Sequence, residues 1–355
     1  MTQAEHGGDI FGMSVNEQNS VLDFSVNINP LGLSPLGEEA LLSGLTREIM
    51  RYPDICCRDL KQAVATNYGV SLQNILCGNG ATELIYALIR VLHPPLVCVP
   101  APCFSEYERA ADAESIPVKS YALDCENGFI VKDWDMLGHL PKGSVIFAGN
   151  PNNPDGRILP KEDFLRLAAA ARLCDGYLII DESFADFIDD DISYRNYLRS
   201  NSQIMIVASA TKFFAVPGLR IGFLFSSSPR LRDIKKMIPP WNVNGPVQLY
   251  LCHALEDTEY IEASRKFLKE EGAQLRSVLE TFSQMTVYPG VANFILLRLT
   301  NGKSAAWLQG KLIDKHILIR QCGNYKGLDK TFFRVAIRTR EENERLLSAL
   351  REIVS

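Results

Sequence analysis

Residues 204–222 read Ile-Met-Ile-Val-Ala-Ser-Ala-Thr-Lys-Phe-Phe-Ala-Val-Pro-Gly-Leu-Arg-Ile-Gly. The apolar start predicts a buried strand, and the small and hydroxyl-bearing residues after it predict a turn that presents Lys212. A lysine amine in such a turn is suited to a Schiff base with an aldehyde cofactor. Ser209 and Arg220 add a hydroxyl and a guanidinium, which suit a phosphate group. The alternative is an ordinary surface lysine, which the flanking small residues and the Pro-Gly-Leu-Arg run make the weaker interpretation.

Around this segment, short apolar runs alternate with helical patterns. Runs rich in Val and Ile occur at 95–99, 144–148 and 177–180. Between them, residues 80–92 and 161–174 carry apolar side chains at helical spacing. Continuous apolar strands that alternate with helices predict an α/β fold, with a mainly parallel sheet covered on both faces.

The pattern changes after about residue 240, where Pro239-Pro240 interrupts the chain. A long helical stretch is predicted over 246–282. The further predicted elements are a strand at 293–299, a helix near 303–315, strands near 316–320 and 332–337, and a terminal helix. This order indicates a smaller α+β domain after the large α/β domain.

Composition and charge exclude several classes of function. The 355 residues contain 37 Lys and Arg against 42 Asp and Glu, so no basic surface for nucleic acid is predicted. No apolar run is long enough to span a membrane, and no secretory signal is visible, so a cytoplasmic protein is expected. The nine cysteines lack a C-x-x-C pair, which favours free thiols, and the five histidines show no metal-ligand spacing.

Three polar segments follow predicted strands, where ligands collect in open α/β sheets. Residues 77–83 contain Gly78 and Gly80 before a helix, whose free amides could hold a phosphate. Residues 149–156 are rich in Asn and Pro, and Asp181 ends a buried strand. Taken singly, the first two could be simple turns, and Asp181 could cap the next helix.

Together and in this order, these segments resemble the fold-type-I pyridoxal-phosphate enzymes of the aspartate aminotransferase superfamily. The resemblance covers essentially the whole chain and is closest to the branch that holds histidinol-phosphate aminotransferases and threonine-phosphate decarboxylases. It implies pyridoxal 5'-phosphate as cofactor and a seven-stranded, mainly parallel sheet. It also implies a large domain over 30–243 and a small domain made of 1–29 and 244–355.

The resemblance assigns roles to the cofactor-binding residues. Lys212 would form the Schiff base, Asp181 would pair with the pyridine nitrogen, Asn153 would bind the ring hydroxyl oxygen, and Phe104 would stack on the ring. The residues implied for the cofactor phosphate are Gly80, Ala81, Thr82, Ser209 and Arg220. Tyr52 resembles the tyrosine that reaches the phosphate of a neighbouring subunit, which implies a homodimer with shared sites.

Several runs are similar to the threonine-phosphate decarboxylases in particular, including residues 6–10, 23–32, 240–244, 317–329 and 333–338. On that pattern, the substrate contacts would be His6, Gly7, Asn27, Asn153, Arg320 and Arg334. The histidine and glycine could instead belong to an unattached tail, and the two arginines could form surface ion pairs. Two arginines and a histidine nevertheless suit a substrate that carries both a carboxylate and a phosphate.

Phe184 stands where most aminotransferases of the superfamily have a tyrosine, whose hydroxyl binds the ring oxygen of the cofactor. The decarboxylases share this phenylalanine, so it counts against transamination, although a packing substitution is the alternative. Asp155 replaces the usual threonine of its motif and is expected to matter less.

The leading expectation is decarboxylation of L-threonine O-3-phosphate to (R)-1-amino-2-propanol O-phosphate in cobalamin biosynthesis. L-serine O-phosphate, which would give ethanolamine O-phosphate, is a close variant. The alternatives are a histidinol-phosphate aminotransferase and a cofactor-binding sensor without catalysis. The sensor is disfavoured because the proposed catalytic set is complete.

Overall fold

The computed structural model describes residues 7–8, 10–12, 15–188 and 192–354. The helices of this part of the chain are α1 (Val15–Ser20), α2 (Pro35–Ile49), α3 (Arg58–Tyr68), α4 (Ala81–Leu92), α5 (Glu106–Ala113), α6 (Lys161–Leu173), α7 (Ala210–Phe213), α8 (Arg230–Met237), α9 (Gly245–Ala254), α10 (Thr258–Leu279), α11 (Ala305–Ile313) and α12 (Arg340–Val354).

The strands of the same residues are β1 (Leu22–Asp23), β2 (Ile75–Gly78), β3 (Val97–Ala101), β4 (Val118–Asp124), β5 (Ile130–Val131), β6 (Val145–Gly149), β7 (Tyr177–Asp181), β8 (Ile204–Ala208), β9 (Gly222–Phe225), β10 (Met285–Val287), β11 (Phe294–Leu299), β12 (Ile317–Leu318), β13 (Arg320–Gln321) and β14 (Phe332–Ala336).

The main sheet has the strand order β2-β9-β8-β7-β6-β3-β4-β5. Neighbouring strands from β8 to β4 are parallel, and β9 and β5 run antiparallel to their neighbours. The predicted α/β fold with a mainly parallel sheet is therefore confirmed. The sheet described here has eight strands rather than seven, because the two residues of β5 turn back onto the end of β4.

Helices cover both faces of this sheet. On β6, Val145 and Phe147 pack in one core with helices α4, α5 and α8, whereas Ile146 and Ala148 pack in the core that includes α6. All five residues of β6 are buried. Burial on both faces explains why the strands are continuous apolar runs instead of alternating ones.

A second, antiparallel sheet forms in the C-terminal part, in the order β10-β11-β14-β13. Strand β1 pairs in parallel with β12, where Leu22 lies opposite Ile317. Residues near the start of the chain therefore join the C-terminal part. This pairing agrees with a small domain built from both chain ends, and the limits 1–29, 30–243 and 244–355 stay a prediction.

The single helix predicted over 246–282 is wrong, because the structure divides it into α9 and α10. Asp257 caps α10 by accepting the Tyr260 amide at 3.1 Å, and its other oxygen accepts the Ser34 hydroxyl at 2.6 Å. An N-cap residue interrupts a continuous helix because its own backbone leaves the helical conformation. The strand predicted at 316–320 is likewise divided, since β12 pairs with β1 and β13 pairs with β14.

Within the described ranges, no helix has the length and apolar character needed to cross a membrane. The same residues contain no group of three or more His, Cys, Asp or Glu side chains that could hold a metal ion. All nine cysteines are free thiols.

Candidate active site

The site lies at the carboxyl ends of neighbouring parallel strands. Gly149 at the end of β6 pairs with Asp181 at the end of β7, and Asp181 pairs with Val207 near the end of β8. The loops that follow these strands therefore meet at one edge of the sheet. This is the edge where open α/β sheets bind ligands.

These loops enclose a cavity of about 240 Å³, called here the active-site cavity. It brings together most of the residues that the sequence predicted. Its predicted lining residues are Gly7, Asn27, Ala81, Thr82, Phe104, Asn153, Asp181, Ser209, Lys212, Arg220, Arg320 and Arg334.

Lys212 lies in the short helix α7 directly after β8. Its Nζ is 3.3 Å from the hydroxyl of Ser209. The pKa of Lys212 is lowered to about 8, mainly by burial and also by the nearby Arg220 and Arg334, while Asp181 opposes the shift. The amine is therefore neutral at a much lower pH than a surface lysine, which favours covalent bonding to an aldehyde.

Asn29 holds α7 in place from a distant part of the chain. Its backbone amide donates to the Lys212 carbonyl at 2.9 Å, and its side-chain amide donates to the Phe213 carbonyl at 2.9 Å. Asn29 is buried. The backbone that carries the lysine is thus anchored by groups outside the sequence motif.

Both oxygens of the Asp181 carboxylate accept hydrogen bonds. The Tyr107 hydroxyl donates to Oδ2 at 2.8 Å, and the Ser183 amide donates to Oδ1 at 2.9 Å. Asp181 is 7% exposed and lines the cavity beside Lys212. An oriented, buried carboxylate of this kind suits a cationic ring nitrogen.

A cradle for a phosphate forms where helix α4 begins. Gly80 has φ of +84° at the N-terminus of α4, and the helix has no side-chain cap among the described residues. A Cβ on Gly80 would lie 2.6 Å from Arg220 Nη2, and a Cβ on Gly222 would lie 2.4 Å from the Ala81 amide nitrogen. Bare glycines therefore keep uncapped amides and a guanidinium close together, which is the donor set that binds phosphate.

Arg320 and Arg334 lie directly opposite each other on β13 and β14, and each is 5% exposed. We call them the arginine pair. Arg334 donates to Asn153 Oδ1 through Nη1 and to the Ser25 carbonyl through Nη2, at 3.1 Å for the latter. Arg320 donates to Asn324 Oδ1 at 3.1 Å. The interpretation of these arginines as surface ion pairs is wrong, because both are buried and line the cavity.

Asn27 and Gly7 complete the side of the cavity near Arg334. In the amide orientation that satisfies both groups, the Asn27 side-chain oxygen accepts from Arg334 at 3.2 and 3.3 Å. The Gly8 amide donates to the Ser25 hydroxyl at 2.9 Å, and a Cβ on Gly7 would lie 2.2 Å from the Ser25 carbonyl oxygen. Gly7 is thus packed against residue 25, which is not how an unattached tail behaves.

Two of the predicted residues that the structure describes, Gly80 and Tyr52, do not line the cavity. Gly80 lies next to the Arg220 guanidinium, since a Cβ there would be 2.6 Å from Nη2. Tyr52 is 79% exposed and stacks on Trp241 with ring centroids 4.8 Å apart. His6 lies outside the described residues. The predicted role of Tyr52 in a neighbouring subunit stays a prediction.

The structure adds residues that the sequence reasoning missed, namely Ser25, Asn29, Tyr107 and Tyr325. The Tyr325 hydroxyl is 3.4 Å from Asn153 Oδ1, and its ring lies under the Arg320 guanidinium at 5.4 Å. Tyr107 follows Phe104 by one helical turn, and Ser25 and Tyr325 occur in runs already singled out. Spacing along a helix could have suggested Tyr107, whereas the other contacts depend on segments far apart in the chain.

Phe184 contributes an apolar ring without a hydroxyl. Its ring is edge-on to Phe294 at 5.0 Å, and Lys212 Nζ lies 5.0 Å from its centroid. The ring is 5% exposed and lines the cavity. At this place the chain offers bulk and no hydrogen bond to a ligand.

Comparison with known proteins agrees with this geometry. The chain matches the family described as aminotransferase class I and II over residues 19–350, and it therefore belongs to that family. The threonine-phosphate decarboxylase of Salmonella typhimurium is 37% identical over 99% of this chain and 96% of that protein. A histidinol-phosphate aminotransferase of Clostridium kluyveri is 32% identical over 86% of this chain and 85% of that protein.

A solved structure shows the same fold. The histidinol-phosphate aminotransferase of Clostridium acetobutylicum is similar with a TM-score of 0.84 and 30% identity, over 94% of this chain and 99% of that chain. The chain is thus a fold-type-I enzyme whose cofactor is pyridoxal 5'-phosphate. The residues present fit this group, since they offer an amine for its aldehyde, a carboxylate for its ring nitrogen and a cradle for its phosphate.

Proposed function

We propose that this enzyme decarboxylates L-threonine O-3-phosphate to (R)-1-amino-2-propanol O-phosphate, in cobalamin biosynthesis. The observation that carries the proposal is the arginine pair. Two buried guanidinium groups directly opposite each other repel, and such an arrangement is costly unless an anion lies between or beside them. A substrate with a carboxylate and a phosphate supplies anionic groups for both.

The arginine pair also determines how the substrate is oriented. Arg334 is fixed by Asn153 and the Ser25 carbonyl, and Arg320 is fixed by Asn324 and stacked on Tyr325. Two anchored ends restrict rotation of the substrate about its Cα. That rotation selects which bond at Cα breaks, so anchoring of both ends by the arginines would contribute to the choice of reaction.

When bound, pyridoxal 5'-phosphate supplies an electron sink for the pair of electrons that the departing carbon dioxide leaves at Cα. Asp181 would hold the ring nitrogen, and Asn153 would bind the ring oxygen. Lys212 Nζ, with its pKa lowered to about 8 by burial, can carry a proton and return it to Cα.

Histidinol-phosphate aminotransferase is the second candidate, favoured by the 30% identity to the Clostridium acetobutylicum enzyme. Phe184 counts against it, because this side chain has no hydroxyl to hold the oxygen of the cofactor ring. The higher identity and coverage of the Salmonella decarboxylase also favour the first proposal.

The two candidates are separated by a carbon dioxide assay. Purified holoenzyme with L-threonine O-3-phosphate should release carbon dioxide without 2-oxoglutarate, and the Lys212→Ala variant should release none. Turnover of histidinol phosphate that requires 2-oxoglutarate and yields no carbon dioxide would overturn the proposal.

L-serine O-phosphate, which would give ethanolamine O-phosphate, differs from the proposed substrate by one methyl group. A methyl group contributes about 1–3 kcal/mol to discrimination, so both compounds can be substrates at different rates. The ratio of kcat/KM for the two phosphoamino acids, measured in the same assay, assigns the preferred one.

We propose further that the enzyme is a homodimer with shared active sites. Exposed apolar side chains occur on α2, in the segment that follows it and at Trp241, which stacks on Tyr52, and they are called here the apolar face: Leu42, Leu45, Ile49, Met50, Ile55 and Trp241. Leu42, Leu45 and Ile49 lie on one side of α2 by their spacing. A second copy of the chain would cover this face and receive Tyr52 at its phosphate cradle.

The nine free thiols support a reducing compartment, and we propose the cytoplasm as the place where this enzyme works.

A further inference from the structure

Tyr107 is a buried tyrosine whose contacts point toward the cofactor site. It is 2% exposed and lies in α5, one turn after Phe104. Its ring stacks on Phe147 with centroids 4.5 Å apart and an interplanar angle of 9°. This stacking fixes the position of the ring and therefore of its hydroxyl. The hydroxyl donates to Asp181 Oδ2 at 2.8 Å.

The hydroxyl remains a donor under all ordinary conditions. Burial and then the neighbouring Asp181 carboxylate raise the pKa of Tyr107 well above its usual value. An ionised carboxylate can only accept hydrogen bonds, so a protonated hydroxyl beside it is the donor. A charge-assisted hydrogen bond of this kind is short and strong, so it orients the acceptor.

We propose that Tyr107 is a positioning residue for the cofactor: its hydroxyl orients the Asp181 carboxylate and thereby sets how tightly the ring nitrogen of the cofactor is held. The inference rests on the role proposed for Asp181. It does not depend on which substrate the enzyme uses, because its effect is on the cofactor.

Tyr107→Phe tests this inference, because it removes the hydroxyl and keeps the stacked ring. The dissociation constant of pyridoxal 5'-phosphate from apoenzyme should rise about tenfold, as for loss of a hydrogen bond to a charged group. The pH at which the visible absorbance of the bound cofactor changes should also shift. Neither readout requires substrate, so failure of the decarboxylation assay leaves this test intact.

Tyr121→Phe is the matched control. Tyr121 is 3% exposed, and its hydroxyl donates to the Phe147 carbonyl at 2.6 Å. The variant therefore loses a buried hydroxyl beside Phe147, the residue on which Tyr107 stacks, and leaves the hydrogen bonds of Asp181 unchanged. Its cofactor affinity and absorbance titration should equal those of the wild type. Equal losses in the two variants would mean general damage to packing and would overturn the proposal.

A double-mutant cycle with Asp181→Asn tests the route of the effect. If Tyr107 acts through the carboxylate, adding Tyr107→Phe to Asp181→Asn should cause no further loss of cofactor affinity. A further tenfold loss in that background would show that Tyr107 acts independently of Asp181. Unchanged affinity and an unchanged absorbance titration in Tyr107→Phe alone would equally refute the inference.

Discussion

At the scale of single residues, Lys212 lies in the active-site cavity, and its surroundings there lower the pKa of its amine. Its amine is partly buried near two arginines, and the loss of solvent around it is the main cause of a pKa of about 8. The amine therefore loses its proton at a pH well below 10.5, the usual lysine pKa. The neutral form, which is the nucleophile, becomes abundant within the ordinary pH range.

We predict that apoenzyme incorporates pyridoxal 5'-phosphate faster as pH rises and that the rate levels off above about pH 8, because only the neutral amine reacts. Stopped-flow absorbance across this range measures the rate. Lys212→Arg should bind the cofactor without a covalent bond at any pH. A rate that continues to rise toward the pKa of an exposed lysine would contradict this prediction.

Asp155 shows that a position expected to matter less can be fully enclosed. It is 1% exposed and accepts hydrogen bonds from the Arg157 amide at 2.8 Å and from the Asn152 side chain. Burial raises its pKa to about 6, against the hydrogen bonds and the Arg157 charge. Its neutral form is therefore favoured by folding.

The raised pKa has a defined effect on stability. Between about pH 4 and pH 6 the folded protein holds a proton on Asp155 that the unfolded chain releases, so this residue makes stability fall as pH rises through that range. We predict that Asp155→Asn reduces the fall of the free energy of unfolding between about pH 5 and about pH 8 by roughly 1–2 kcal/mol, because about one pH unit of this interval lies below the folded pKa. Urea unfolding of wild type and variant at both pH values measures it, and an equal fall in both proteins would exclude this account.

At the scale of elements, Ser34 and Asp257 join the beginnings of α2 and α10. Ser34 is fully buried, accepts the Gly37 amide at 3.2 Å, and donates to Asp257 at 2.6 Å. Asp257 in turn caps α10 through the Tyr260 amide. One buried pair of side chains thus sets where two helices start.

We predict that Ser34→Ala lowers the free energy of unfolding by about 2 kcal/mol, since it removes a helix cap and one partner of a buried carboxylate. Ser304→Ala is the matched control, because Ser304 caps α11 through the Trp307 amide at 3.2 Å and, among the described residues, bonds to no carboxylate. It should cost about 1 kcal/mol. Equal losses in urea unfolding would show that the Asp257 contact contributes nothing.

At the scale of the whole molecule, the apolar face and Tyr52 are exposed and do not line the active-site cavity of the same chain. The proposed dimer would account for both features, because the second copy would cover the face and use the tyrosine. Each active site would then contain residues from two chains, and subunit association would be required for activity.

We predict that Ile49→Asp converts the dimer to a monomer with greatly reduced activity, because a carboxylate in an apolar interface is desolvated without a partner. Leu173→Asp is the control, since Leu173 is 77% exposed outside this face. Sedimentation velocity and the carbon dioxide assay measure the two effects. An active monomer in Ile49→Asp would refute shared sites.

Shared sites have a second consequence that mixing experiments detect. Tyr52→Ala and Lys212→Ala subunits should each be inactive alone, and their hybrid dimer should regain activity, because one of its two sites then has both wild-type residues. If activity does not return after subunit exchange, Tyr52 acts in the active site of its own chain.

The sequence by itself predicted the fold and most of the residues that line the active-site cavity. The strand runs, the Lys212 turn and the glycines before α4 are local patterns, and local patterns depend on periodicity and on short-range backbone conformation. Residues that act from the ends of adjacent parallel strands, such as Asp181, could be assigned because the fold itself brings those ends together.

Only the tertiary structure decided which distant groups meet. Arg320 and Arg334 become neighbours through strand register, Tyr107 reaches Asp181 across 74 residues, and Asn29 anchors Phe213 across 184 residues. The interruption of the predicted helix at Asp257 likewise depends on Ser34, far away in the chain. Such contacts arise from the packing of elements against one another, and packing leaves no periodic signal in the sequence of either partner.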